Sequence, residues 1–155
     1  PSEPFTSADL LTAIEELDLG GKEVAVQAYG APNSHLTQAM EKRGANVREV
    51  ALYTWGLAED VAPVLGLIDA LESGQIDAIA FTSQVQINNL LAIASQAGKE
   101  ESVRNIMATG PLVVASVGPV CTKRMIEFGF RVDVEPDHPH MGNLVLAIAD
   151  RLSAN

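Results

Sequence analysis

The sequence predicts an α/β layer fold built on a parallel sheet, and three observations carry that reading. Short runs rich in Val, Ile and Ala alternate with longer segments whose apolar residues recur at three- and four-residue spacing, and this strand–helix unit occurs five times. The run over 113–117 is apolar without alternation and reads as buried on both faces, and the runs over 23–28 and 77–81 read as buried strands, as in sheets whose right-handed crossovers cover them with helices. Several of these runs end in Gly-Pro or in small hydroxyl residues that start the next helix.

Composition narrows the class. A chain of 155 residues is long enough for one domain with a proper core, and 47% hydrophobic with 19% charged residues is globular and not disordered. No apolar run is long enough to span a bilayer, and residues 1–4 do not read as a signal peptide. The single cysteine, Cys121, excludes an intramolecular disulfide and a cysteine-built zinc site, and it fits a reducing, cytoplasmic setting. Net charge is −10 and the basic residues form no stripe, so nucleic acid and anionic membrane surfaces are poor partners. An anionic small molecule would have to be held by local backbone N–H groups against that field.

Each element has its own signals. Residues 5–17 read as a helix, capped by Thr6 or Ser7, with Leu10, Leu11, Ile14 and Leu17 on one face and Gly20-Gly21 as its stop. A strand over 23–28 leads through Tyr29-Gly30-Ala31-Pro32-Asn33-Ser34 into a helix. Asn33 or Ser34 is the cap, Leu36, Ala39 and Met40 face inward, and Gly44 ends it. The strand over 47–52 runs into Tyr53-Thr54-Trp55. After an irregular stretch, Glu59-Asp60 caps a helix over 64–71, which Gly74 closes. The strand over 77–81 delivers Thr82-Ser83-Gln84 to a helix with Ile87, Leu90, Leu91 and Ala94 inside. A charged helical piece over 98–107 precedes the most apolar strand, 112–117. Gly118-Pro119 starts the next helix, and Gly129 ends it. A fifth strand over 131–134, a loop over 135–142 and a helix over 143–152 complete the chain.

Three turns should therefore share the carboxyl edge of the sheet, where ligands of open α/β folds bind: 30–34, 82–84 and 118–122. The first N–H groups of each helix lack partners inside it and have the positive end of the dipole behind them. Together they form a plausible cradle for a molecule with several carboxylates. Each is also explicable as an ordinary structural cap. Other chemistries fit less well. The strand ends lack the acids of a receiver domain, no GxGxxG or Walker pattern occurs, and Ser83 has no nucleophile-elbow context. His138 and His140 read as part of a rigid surface turn more than as metal ligands, and His35 as a helix-start surface or packing residue. Cys121 reads as a small buried thiol more than as one activated at a helix start. Tyr53 reads as packing, with a phenol facing a cleft as its sharper role.

The run Gly21-Lys22-Glu23-Val24 through Gly30, Arg43-Gly44-Ala45-Asn46-Val47 and Tyr53 resembles the middle of the uroporphyrinogen-III synthase family. So do Ala80-Phe81-Thr82-Ser83, Val117-Gly118-Pro119 with Gly129, and the closing Pro139-His140-Met141-Gly142-Asn143-Leu144-Val145. The resemblance covers nearly the whole chain but only the second half of a family member. It implies a flavodoxin-like arrangement of parallel strands with helices on both faces. The chain would be either one five-stranded domain over 1–155 or a strand-swapped part of a bilobed synthase, with the crossover near 53–60. The activity implied is cyclisation of hydroxymethylbilane to uroporphyrinogen III, with inversion of ring D and loss of water, and no metal or organic cofactor. Tyr53 matches the family's cleft-facing tyrosine. Gly30, Asn33, Ser34, Thr82, Ser83, Gln84, Gly118, Val120 and Cys121 would hold the substrate's carboxylates, largely through main-chain N–H groups. Cys121 stands where many members carry threonine, with Thr122 one place on. The partners implied are the linear tetrapyrrole and either the missing N-terminal half or a second copy that exchanges strands. The rival readings are a non-catalytic ligand-sensing domain of the same family and an unrelated flavodoxin-like binding module.

Overall fold

The computed structural model describes residues 6–28, 30–53 and 56–154. Expectations that fall on Phe5, Tyr29, Thr54 and Trp55 lie outside the described residues. The chain forms two compact units, residues 1–56 and 57–155.

The first unit contains α1 (Ser7–Ala13), β1 (Glu23–Ala28), α2 (Ser34–Glu41) and β2 (Asn46–Ala51). Thr6 caps α1 reciprocally. Its hydroxyl accepts from the Asp9 N–H and donates to the Asp9 carboxylate, which also accepts from the Thr6 N–H at 2.8 Å; the hydroxyl's bond first, then the N–H's, hold the Asp9 pKa low. The helix stops short of the expected 5–17. Past Ile14 the chain leaves the α-helix in turns, with Leu17 N–H donating to the Ile14 carbonyl at 3.0 Å, and the Arg43 guanidinium donates to the carbonyls of Ile14, Glu15 and Leu17 at 2.7–2.9 Å in place of further i+4 bonds. Leu17, expected on the inner face, is exposed.

β1 and β2 pair in parallel, from Glu23 opposite Asn46 to Ala28 opposite Ala51. Val24, Val26 and Val47 pack with Leu10, Leu11, Ile14, Leu19, Leu36, Met40 and Ala45. The opposite face carries Glu23, Gln27, Asn46 and Arg48 and is exposed, with a Glu23–Arg48 ion pair across it at 3.1 Å. β1 therefore alternates and β2 is exposed apart from Val47, contrary to the reading of 23–28 as a buried strand.

The second unit contains α3 (Ala62–Glu72), β3 (Ala78–Phe81), α4 (Gln84–Gln96), α5 (Glu100–Thr109), β4 (Val113–Ser116), α6 (Pro119–Glu127) and α7 (Met141–Ser153). Val61 is the N-cap of α3 and makes no side-chain cap bond; Asp60, expected with Glu59 as the cap, stands one residue earlier and accepts from the Ala62 N–H at 2.9 Å. β3 and β4 pair in parallel, from Ala78 opposite Val113 to Phe81 opposite Ser116. On one face lies the main core, with Ile68, Ile87, Leu90, Val103, Met107, Val114 and Met125. On the other, Leu144 of α7 covers Val113, Ala115 and Val134.

Among the described residues the expected single five-stranded sheet is not seen; the strands there divide into two pairs. Two local features account for this. The polar residues of β1 and β2 leave one face wet, which a fully covered parallel sheet does not permit. The fifth strand shrinks to one bridge, Ala115 with Val134. There the Asp133 carboxylate accepts the Val114 N–H at 2.8 Å, a side chain standing in for a ladder carbonyl, while Arg131 pairs with that carboxylate at 2.8 Å.

Candidate functional site

The two turns of the second unit are neighbours because β3 and β4 are neighbours. The Phe81 carbonyl, at the end of β3, accepts from the Val117 N–H at 3.0 Å and lies 3.5 Å from the Cys121 sulfur. This brings Thr82, Ser83 and Gln84 close to Gly118, Val120 and Cys121. Ser83 caps α4, its hydroxyl accepting from the Val85 N–H at 3.2 Å. The Thr82 N–H and hydroxyl are both turned onto the Gln86 side-chain oxygen, at 2.8 and 3.2 Å. At the start of α6, Pro119 has no N–H, and the first helical bond runs from Thr122 to the Gly118 carbonyl. The N–H groups of Gln84, Val120 and Cys121 are left with no acceptor among the described residues.

Gly118 is required for a reason the sequence does not show. Its φ of 166° is extended backbone open to any residue. A Cβ there, however, would meet the Cβ of Pro139 at 2.7 Å, so the glycine is the space in which the 135–142 loop crosses the turn. Fully buried Ser116 fastens the same turn: its hydroxyl donates to the Gly118 carbonyl at 3.0 Å and accepts from the Gly118 N–H at 3.3 Å.

Cys121 points its thiol into the core, and burial pushes its pKa up. Only its backbone N–H remains for a ligand. Thr122 donates its hydroxyl to Glu135, which places a carboxylate beside the first turn of α6. His140 sits at the N-cap of α7, and His138 and His140 lie on the exposed loop that carries Pro139. Among the described residues, no group of three or more His, Cys, Asp or Glu is arranged to hold a metal.

Gly30, Asn33, Ser34 and Tyr53 belong to the first unit. Gly30 has φ 73°, the left-handed value that favours glycine. Asn33 caps α2, accepting from the Leu36 N–H at 3.1 Å and donating to the Ser7 hydroxyl at 2.8 Å. Its own N–H is taken by the Glu49 carboxylate at 2.8 Å. The N–H groups of Ser34 and His35 have no acceptor among the described residues. Tyr53 follows β2 and is exposed, outside every core cluster.

The residues that occupy the expected donors are thus Glu49, Gln86 and Glu135. Gln86 was legible as a residue one helical turn beyond Thr82. Glu49 and Glu135 carry no such local signal, since each reaches a turn 13 or more residues away in the chain.

Parallel strands whose carboxyl ends feed helix starts define an α/β protein built from strand–turn–helix units. Residues 1–145 match the model of the family described as uroporphyrinogen-III synthase HemD, and the chain belongs to that family. It is 32% identical over 149 residues to a Methanothermobacter thermautotrophicus protein named "Putative uroporphyrinogen-III synthase", covering 95% of this chain and 56% of that relative. A solved uroporphyrinogen III synthase from Thermus thermophilus, a triple methionine mutant, superposes with a TM-score of 0.65 at 26% identity, over 97% of this chain and 56% of that one. The native form of that enzyme gives 0.59 at 27% identity, over 96% and 55%. The chain therefore spans a little over half the length of these relatives.

Proposed function

We propose that this chain is part of a uroporphyrinogen-III synthase that closes hydroxymethylbilane to uroporphyrinogen III, inverting ring D and releasing water. The observation that carries the reading is the pair of adjacent turns after β3 and β4, in a chain of this family, with N–H groups of Gln84, Val120 and Cys121 uncommitted. Hydroxymethylbilane bears acetate and propionate groups on every ring. Helix starts suit such groups, each contributing about 0.3–1 kcal/mol when exposed and up to ~2 kcal/mol when partly buried. The start of α2, with Gly30, Asn33 and Ser34, is a further candidate in the first unit. Catalysis on this reading is largely the holding of the two chain ends in one geometry, which contributes roughly 7–11 kcal/mol at best. Tyr53, exposed at the end of β2, is the candidate proton donor to the departing hydroxyl.

A coupled assay starting from hydroxymethylbilane tests this. A protein of family length that contains this chain is expected to yield the type III isomer, and Tyr53→Phe to slow it by about tenfold or more with thermal stability unchanged. The 155 residues alone are expected to leave mostly the spontaneous type I product. Type I product alone from the family-length protein sinks the reading.

A further inference from the structure

β4 is buried along its whole length, and its last residue carries a hydroxyl where packing asks for none. Ser116 is the one polar residue of the buried interior among the described residues. A hydroxyl taken out of water must recover its hydrogen bonds. Ser116 makes both with Gly118, donating to the carbonyl at 3.0 Å and accepting from the N–H at 3.3 Å. The same carbonyl is the first acceptor of α6, taken by the Thr122 N–H at 3.0 Å. The hydroxyl thus fixes the peptide from which the helix grows, and with it the direction of the Val120 and Cys121 N–H groups in the first turn.

A second buried bond ties that turn sideways. The Cys121 thiol donates to the Phe81 carbonyl at 3.5 Å, and the Val117 N–H donates to the same oxygen at 3.0 Å. Phe81 is the last residue of β3 and leads directly into Thr82, Ser83 and Gln84. Burial pushes the Cys121 pKa up, and the Ser116 hydroxyl is near enough to the thiol to pull against it. Two buried side chains therefore hold the donors after β3 and the donors after β4 at one separation. A substrate that carries carboxylates on arms of two lengths, acetate and propionate, is sensitive to that separation.

We propose, resting on the function proposed above, that Ser116 and Cys121 are positioning residues for substrate binding: their buried side chains set the spacing of the two turns whose N–H groups grip the substrate's carboxylates. Neither side chain reaches the substrate; each acts through the backbone it holds. Because the turns grip carboxylates and not the reacting carbons, a loosened turn weakens ground state and transition state alike, and the loss falls on KM.

Steady-state kinetics of a family-length protein that contains this chain, with hydroxymethylbilane as the probe, tests this. Ser116→Ala removes the hydroxyl, and Cys121→Val keeps the bulk of the side chain without its donor. Each is expected to raise KM on the order of tenfold with kcat changed by less than about threefold. Cys121→Ser restores a donor toward the Phe81 carbonyl and is expected to bring KM back to within about threefold of the unsubstituted protein. Ile68→Ala weakens the core of the same unit from α3 and should leave KM where it was. An unchanged KM in Ser116→Ala overturns the proposal. So does a Cys121→Ser variant as impaired as Cys121→Val, or an equal rise in KM in Ile68→Ala, which would make the effect one of stability alone. Type I product alone from the unsubstituted protein is a different result: it sinks the functional reading and takes this proposal with it.

Discussion

The two units use one device, a pair of parallel strands with a helical crossover (α2 in the first, α4 and α5 in the second), and they bury it differently. In the first, β1 and β2 offer one apolar face to α1 and α2, and the buried cluster is Leu19, Leu36, Met40 and Ala45. In the second, β3 and β4 are covered on one face by the core built with α3–α6 and on the other by α7. Strand composition makes the difference. Glu23, Gln27, Asn46 and Arg48 hold one face of the first pair in water, whereas Val113, Val114, Ala115 and Ser116 are buried throughout. A turn inherits this contrast: the α6 start is clamped by Ser116 and Pro139, while the α2 start is held by exposed polar bonds from Asn33 and Glu49.

The largest effect that sharpens the contrast is core truncation. Ile68→Ala is expected to cost about 2–5 kcal/mol in urea unfolding, since Ile68 is fully buried in the second unit. Leu36→Ala should fall at the low end of that range. Amide exchange should show each loss confined to its own unit; equal slowing or quickening of both units in both variants would break the comparison.

Gly118→Val comes next, at roughly 1–3 kcal/mol, because any Cβ meets Pro139. Gly118→Ala paired with Pro139→Gly should recover most of the stability that Gly118→Ala loses. No recovery would mean that the clash is not the cause. In the first unit, Arg43→Leu strips the Glu15 and Leu17 carbonyls of their side-chain donor and leaves Ile14 only the Leu17 N–H; it is expected to cost about 1–2 kcal/mol, read as faster exchange in the segment after α1. Unchanged exchange there would show that the Arg43 bonds do not hold that segment.

Smaller effects follow from titration. Burial raises the Cys121 pKa, so alkylation of the folded chain should lag far behind that of the unfolded chain as pH rises through the ordinary thiol range. Hydrogen bonds from Lys99 and Arg104 hold the Glu72 and Glu100 carboxyls below their usual range, and Asp69 and Glu72 raise Lys99. The carboxylates' contribution is therefore present above their unfolded pKa and lost as pH falls through the folded one, while that of Lys99 is lost as pH rises through its own folded value. Both are surface pairs of modest worth. Lys99→Met should flatten the acid limb of the stability curve slightly, and an unchanged limb would show that Glu72 contributes nothing through this pair.

Much was determined by sequence alone because the signals are local. Of the pairs read as caps, Thr6 and Asn33 are the residues that cap, and Ser83 caps within the helix start read at 82–84, since a cap needs only a side-chain oxygen within three residues of an N–H. β1, α2, β3, α4, β4 and α6 stand where period and turn residues placed them. The family was legible too, because several short motifs kept their order and spacing over nearly the whole chain. Tertiary structure alone decided the rest, each time through groups distant in the chain. Arg43 took carbonyls just past α1, and the Asp133 carboxylate took one ladder N–H of β4 where a fifth strand was expected. Glu49 and Glu135 claimed donors at two turns, and Pro139 gave Gly118 its reason to lack a side chain. Whether five strands make one sheet or fewer is a matter of which faces end up covered. Local pattern states what each strand can bury, and only the assembled neighbours determine what it does bury.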